Sequence, residues 1–98
     1  MLVGVNMASS KEFLSFVLEQ LSALDISYKQ MMGEFLLYKN GVLFGGIYDN
    51  RLLFKPTKIA KRLLVNAKYD LPYPNAKPMI VCDFLDDKQK LIEFLTNI

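Results

Sequence analysis

Few side chains in this sequence could do chemistry. There is one cysteine, Cys82, and no histidine. Without histidine the usual general base near neutral pH is missing, as is the usual zinc ligand. Ser-His-Asp and Cys-His catalysis are excluded within these residues. Cys82 ends the run Met79, Ile80, Val81. A thiol there reads as a small buried hydrophobe, since a nucleophile needs an adjacent base. Asp83, Asp86 and Asp87 could offer oxygens to a hard cation. Their spacing is not that of an EF-hand loop, and carboxylates at that point suit the start of a helix. No metal and no cofactor is expected.

The remaining candidates are surfaces. Lys58, Lys61 and Arg62 stand at i, i+3 and i+4, so a helix would carry them on one side. Lys55 and Lys68 extend the basic stretch. It could contact phosphates. It also fits the solvated side of a helix whose apolar side is Ile59, Leu63 and Leu64. No aromatics interleave the basic residues, as single-strand binding requires, so the solvated reading is favoured. Tyr69 and Tyr73 could stack on a base or a peptide, or lie over the edge of the core with hydroxyls in water. Gly45-Gly46 is not a phosphate-binding loop, because no helix follows it. A bulge or a close backbone approach explains it better.

The elements that must position these groups follow from periodicity. Ser9 and Glu12 form a capping box. Phe13, Phe16, Val17, Leu21 and Leu24 then recur at helical spacing, widened by Leu14 and Leu18. This predicts a first helix over Ser10 to Leu24. Strands are predicted over Tyr28 to Met32, Glu34 to Tyr38, Val42 to Tyr48 and Arg51 to Lys55. Gly33, Asn40-Gly41 and Asp49-Asn50 turn the chain between them, and Asn-Gly is a strong hairpin signal. Thr57 caps a second helix over Lys58 to Ala67. Residues 68–78 hold Pro72, Pro74 and Pro78 and read as a loop. Met79 to Asp83 is a fifth strand. Asp86 and Gln89 suggest a second capping box before a helix with the stripe Leu91, Phe94, Leu95 and Ile98. The fold class is α+β: an antiparallel sheet of four to five strands with three helices, in the order α-β-β-β-β-α-β-α. The first and last helices should pack on one face of the sheet.

The chain has 98 residues, 52% of them hydrophobic, and a formal charge of +2. That is one domain, with a small basic excess that does not by itself predict a nucleic-acid partner. A lone cysteine favours a reducing compartment, hence the cytoplasm. The apolar run Val42 to Tyr48 is far short of the roughly 20 residues of a membrane span. Residues 1–8 have no basic leader and read as an N-terminal extension, Met7 beginning a second natural start; the domain proper is 9–98.

One segment, "MMGEFLLYKNGVLFGGIYDNRLLFKPT" from Met31 to Thr57, resembles the signature of the TfoX/Sxy N-terminal domain family. Met32-Gly33, Gly41, Asp49 and Lys55 fall in step with that pattern. "PYPNAKPMIVCDFLDDKQKLIEFL" resembles the closing strand and helix of the same family. The resemblance implies a non-enzymatic regulatory domain of the kind found in competence and transcription regulators, and no catalytic residues. The missing catalytic groups and the surplus of apolar strand residues point, apart from the resemblance, to a protein partner or a homodimer. A weak nucleic-acid-binding module using the second helix is the alternative, and a small-ligand binder with a pocket between sheet and helices the third reading.

Strand alternation suggests where a partner would sit. Successive strand side chains face opposite ways, and an antiparallel sheet with one wet face alternates apolar with polar. Here both sets are largely apolar. Leu36, Tyr38, Phe44, Tyr48 and Leu53 are therefore expected on a second face, partly at a partner surface; ordinary core is the competing account.

Overall fold

The computed structural model describes residues 9–98. The expected extension, 1–8, lies outside the described residues. The chain runs α1 (Lys11–Gln20), β1 (Ile26–Met31), β2 (Glu34–Lys39), β3 (Val42–Tyr48), β4 (Arg51–Phe54), α2 (Lys58–Leu63), β5 (Tyr69–Asp70), β6 (Met79–Val81) and α3 (Lys88–Thr96). The strands form one antiparallel sheet in the order β1-β2-β3-β4-β6-β5. The α+β class is the one predicted. The sheet gains the two-residue β5, which pairs with β6 inside the stretch read as loop.

Three two-residue turns build the meander. Met32-Gly33, Asn40-Gly41 and Asp49-Asn50 all have positive φ, at 49° and 87°, 51° and 82°, and 52° and 56°. Positive φ at both central positions is the mark of type I′ turns, whose twist matches that of the flanking strands. The start of α1 is pinned to two of these turns. Ser9 N–H donates to the Gly33 carbonyl at 3.0 Å. Asn50 N–H donates to Ser9 Oγ at 3.0 Å, and Ser10 N–H to Asn50 Oδ1 at 2.9 Å.

Ser10, not Ser9, caps α1 by accepting from Phe13 N–H. Ser9 is the wrong choice because its hydroxyl is engaged by the β3–β4 turn. The helix also ends earlier than predicted: from Leu21 to Leu24 the backbone bonds tighten to i−3 partners, the usual way a helix end unwinds. Leu14, Val17 and Leu21 are buried, while Phe16 is exposed, so the stripe runs through 14, 17 and 21. Asp87, rather than Asp86, caps α3 through Lys90 N–H at 3.1 Å. Thr57 caps α2 as predicted, through Ala60 N–H at 3.1 Å. That helix stops at Leu63, and its buried contact is Ala60, with Ile59 and Leu63 exposed.

The core lies between one sheet face and the helices. Paired strand residues share a face. Phe35, Leu37, Ile47, Leu52, Phe54 and Ile80 therefore stand on one side. They cluster with Leu14, Val17, Leu21, Ala60, Leu91, Phe94 and Leu95. Phe54 is central, its ring 4.7 Å from Phe94 and 6.1 Å from Phe84. Residues from all three helices enter this one cluster, which fits the predicted placement of the first and last.

Candidate functional site

The opposite face of the sheet carries Leu36, Tyr38, Tyr48 and Leu53. Its cover comes from the loop over residues 71–78. The Tyr73 ring lies 6.4 Å from that of Tyr48. Pro72, Ala76 and Met79 line the same depression as Tyr48. Under this flap Leu53 is fully buried and Tyr48 nearly so. Leu36 and Tyr38, further toward the β1 edge, are only half-buried. We call this the open face.

Phe44 is not part of it. The β2–β3 register slips between Leu37 and Tyr38: Leu37 faces Gly45, while Tyr38 faces Leu43. Phe44 is the extra residue of a β-bulge, which shifts the alternation by one. Its ring turns to the helix side, 6.4 Å from Phe54, and is 6% exposed. The five expected residues thus divide three ways: Leu36 and Tyr38 remain at the surface, Tyr48 and Leu53 lie beneath the flap, and Phe44 is core.

The flap is held by Arg51, which the sequence did not single out. Its Nε donates to the Tyr48 carbonyl at 3.0 Å. Its two terminal nitrogens reach Asp70 Oδ2 at 2.7 Å and the carbonyls of Leu71 and Pro72 at 3.0 and 3.3 Å. The planar guanidinium suits such a set of acceptors spread in one fork. Asp70 is held below the ordinary carboxylate range, first by the Leu71 N–H and then by Arg51.

Around the flap the polar and apolar groups converge. Met32, Glu34, Tyr48, Arg51, Leu71 and Tyr73 line one open depression at the turn end of the sheet. Burial pushes Glu34 upward. Burial, with Glu34, Tyr73 and Tyr38 nearby, pushes Tyr48 upward as well. Met32 is 99% exposed, at the positive-φ tip of its turn. Met31, Leu71 and Tyr73 are also exposed. Clustered apolar side chains of this kind mark contact surfaces more often than catalysis.

The basic candidates are brought together only in part. Lys55, Lys58, Lys61, Arg62 and Lys68 are all exposed. Lys58, Lys61 and Arg62 share the short α2, but Lys68 lies beyond it, where its carbonyl accepts from Val81 N–H. Exposed Ile59, Leu63 and Val65 intersperse the cations. Tyr69 falls on the helix side of the sheet, opposite Ile80, and Tyr73 on the open face. They do not form one stacking platform.

A third place is a pocket of about 320 Å3 at the other end of the sheet, between β3, α2 and the end of α3. Val42, Leu43, Phe44, Phe54, Ile59, Phe94 and Ile98 wall it, with Lys39, Asn40, Lys55 and Thr57 at its polar positions. Two of those groups are engaged already: Lys39 Nζ donates to the Leu95 carbonyl and Thr57 Oγ1 accepts from Ala60. The pocket could take a small apolar molecule. Cys82, half-buried, sits away from it, and burial pushes its thiol up to about 11. Among the described residues no three Cys, Asp or Glu side chains are placed to hold a metal ion. No helix of the described residues is long and apolar enough to cross a membrane.

The fold and its surfaces define an α+β domain whose three described helices lie on one face of an antiparallel sheet. It is 35% identical over 78 residues to the "Uncharacterized 12.7 kDa protein in trpE 5'region" of Spirochaeta aurantia. The match covers 79% of this chain and 68% of that protein, and the chain belongs to the same family. No family model matches the chain, and no solved structure matches it.

Proposed function

We propose that this domain works by binding a protein through the open face, not by catalysis. The observation that carries the reading is the flap: Arg51 fixes an aromatic, proline-rich loop beside half-buried Leu36 and Tyr38 and exposed Met31, leaving a mixed apolar and polar rim. Such a rigid apolar centre with a polar surround is how protein interfaces are built. The resemblance to TfoX/Sxy N-terminal domains supports a regulatory role in the cytoplasm. It rests on the segment whose Met32-Gly33, Gly41 and Asp49 occupy the positive-φ turns. A photo-crosslinking amino acid at Tyr38 or Tyr73 tests the reading in the native cell. It should capture one protein, competed by unmodified domain, while the same probe at Glu19 on α1 captures none. Equal labelling from both faces would remove the open face as the site.

Exposed Lys55, Lys58, Lys61, Arg62 and Lys68 keep nucleic acid as the second reading. Binding of this kind should be weak, sequence-independent and steeply reduced by salt. Anisotropy titration of the protein against duplex DNA, repeated with Lys58, Lys61 and Arg62 reversed to Glu, decides it.

A further inference from the structure

Among the described residues, strand β1 is an edge of the sheet, paired along its whole length on one side only. Ser27 through Met31 are exposed and Ile26 is half-buried. The phase of its hydrogen bonds follows from Asn40 N–H, which donates to the Asp25 carbonyl at 3.0 Å. Bonded pairs alternate along an antiparallel ladder. Residues 27, 29 and 31 therefore bond β2, and the backbone groups of Ile26, Tyr28 and Gln30 point outward. Natural sheets blunt such an edge with lysine and other charges, proline, bulges or very short strands. This one carries a single lysine, Lys29, but has six residues, no proline, and an unbroken register with β2.

We propose that β1 is a dimerisation edge, taking the β1 of a second copy of this chain in antiparallel pairing about a two-fold axis at Tyr28. The sequence of the edge is self-complementary in that register. Tyr28 meets its own copy, Ile26 meets Gln30, and Lys29 stands opposite Ser27 of the partner subunit. No like charges are directly opposed, whereas an axis at Lys29 would set two ammonium groups face to face. Lys29 has two diagonal neighbours across that ladder, Asp25 of the partner subunit and Lys29 of the partner subunit. The operation therefore makes two opposite-charge diagonals against one like-charge diagonal. It also joins the two sheets into one, with both open faces on the same side. An isologous contact of this kind closes at the dimer. The inference does not depend on what the open face binds.

Sedimentation equilibrium of the full chain should show a monomer–dimer equilibrium in the micromolar range. Ser27→Lys, at an exposed position, sets an ammonium opposite Lys29 twice and should weaken the dimer by about tenfold or more. Ser27→Asp should retain it. A positive readout uses Tyr28→Cys in a Cys82→Ala background. Residues in a bonded pair have Cα atoms about 5.5 Å apart, inside the range a disulfide spans. Mild oxidation should then give a covalent dimer, while Lys68→Cys in the same background should not. A chain that stays monomeric, or grows beyond dimers, overturns the proposal. So does a dimer indifferent to Ser27→Lys. Should that variant unfold, the Tyr28→Cys cross-link decides alone.

Discussion

The Tyr48 ring lies against Gly46, so that a Cβ on Gly46 would stand 2.9 Å from Tyr48 Cε2 and 2.8 Å from the Phe35 carbonyl oxygen. At Gly45 the added atom would meet the Leu53 carbonyl oxygen at 2.2 Å. At both glycines β3 lies too close to a neighbouring strand to leave room for a Cβ, against Leu53 of β4 at Gly45 and Phe35 of β2 at Gly46. A backbone atom cannot swing away as a side chain can. Gly45→Ala should therefore cost at least ~2 kcal/mol, the range of overpacking in a well-packed sheet. Gly46→Ala would press on both the Tyr48 ring and the Phe35 carbonyl oxygen, but at 2.8 Å rather than 2.2 Å from backbone, and should cost somewhat less. Urea unfolding of both variants checks the order; a Gly45→Ala protein as stable as wild type would mean that β3 lies elsewhere.

Arg51 gives the second prediction. The ion pair with Asp70 is largely in water and contributes little by itself. The bonds to the Tyr48, Leu71 and Pro72 carbonyls are what fasten the flap. Arg51→Lys keeps the charge and loses the fork. Global stability should drop by about 1–2 kcal/mol, and amide exchange should accelerate at Leu71, Tyr73 and Ala76 while Leu91 and Leu95 in α3 stay protected. Exchange that rises uniformly would show that the flap is not a separate unit.

The third concerns pH. Burial raises the Cys82 thiol from an ordinary value of 9.0 to about 11. The folded state thus holds its proton more tightly than the unfolded state. Its contribution to stability is complete below about pH 9 and is lost as pH climbs toward 11. Tyr48, also raised by burial, pushes in the same direction at the upper end. Urea midpoints should fall between pH 9 and 11, and less steeply in Cys82→Ala. At neutral pH the native thiol should react slowly with a disulfide reagent and quickly after unfolding. Identical slopes for the two proteins would place Cys82 in water.

The turns were legible because Asn-Gly and Asp-Asn carry their own backbone preference. The α3 stripe was legible because Leu91, Phe94 and Leu95 keep one period throughout. The caps were off by one at Ser9–Ser10 and Asp86–Asp87, where neighbouring residues have equal capping chemistry and only tertiary bonds choose between them. Strand β5 is two residues long, too short to show a period. Gly45-Gly46 announced a bulge but not which residue it would turn over, so Phe44 was placed with the wrong set. Arg51 gave no local signal at all, since its acceptors on the flap lie 19 to 21 positions away.

Phe44 and Leu36 yield the last prediction, because alternation alone puts them together and the bulge separates them. Phe44→Glu would bury a carboxylate against Phe54, where the ring is 6% exposed. An unpaired charge in such a place is among the most destabilising changes known, and losing the ring alone costs roughly 3–5 kcal/mol. The chain should unfold or melt far below wild type. Leu36 faces Gly46 across the ladder, on the side without helices, and is half-buried. Leu36→Glu can turn its carboxylate to water, and should cost no more than about 1–2 kcal/mol. Its circular dichroism should match wild type, and photo-capture through Tyr73 should be lost. A folded Phe44→Glu protein would put that ring back on the open face and undo the bulge. An unfolded Leu36→Glu protein would mean that the open face is covered after all, and the binding surface would have to be sought at α2.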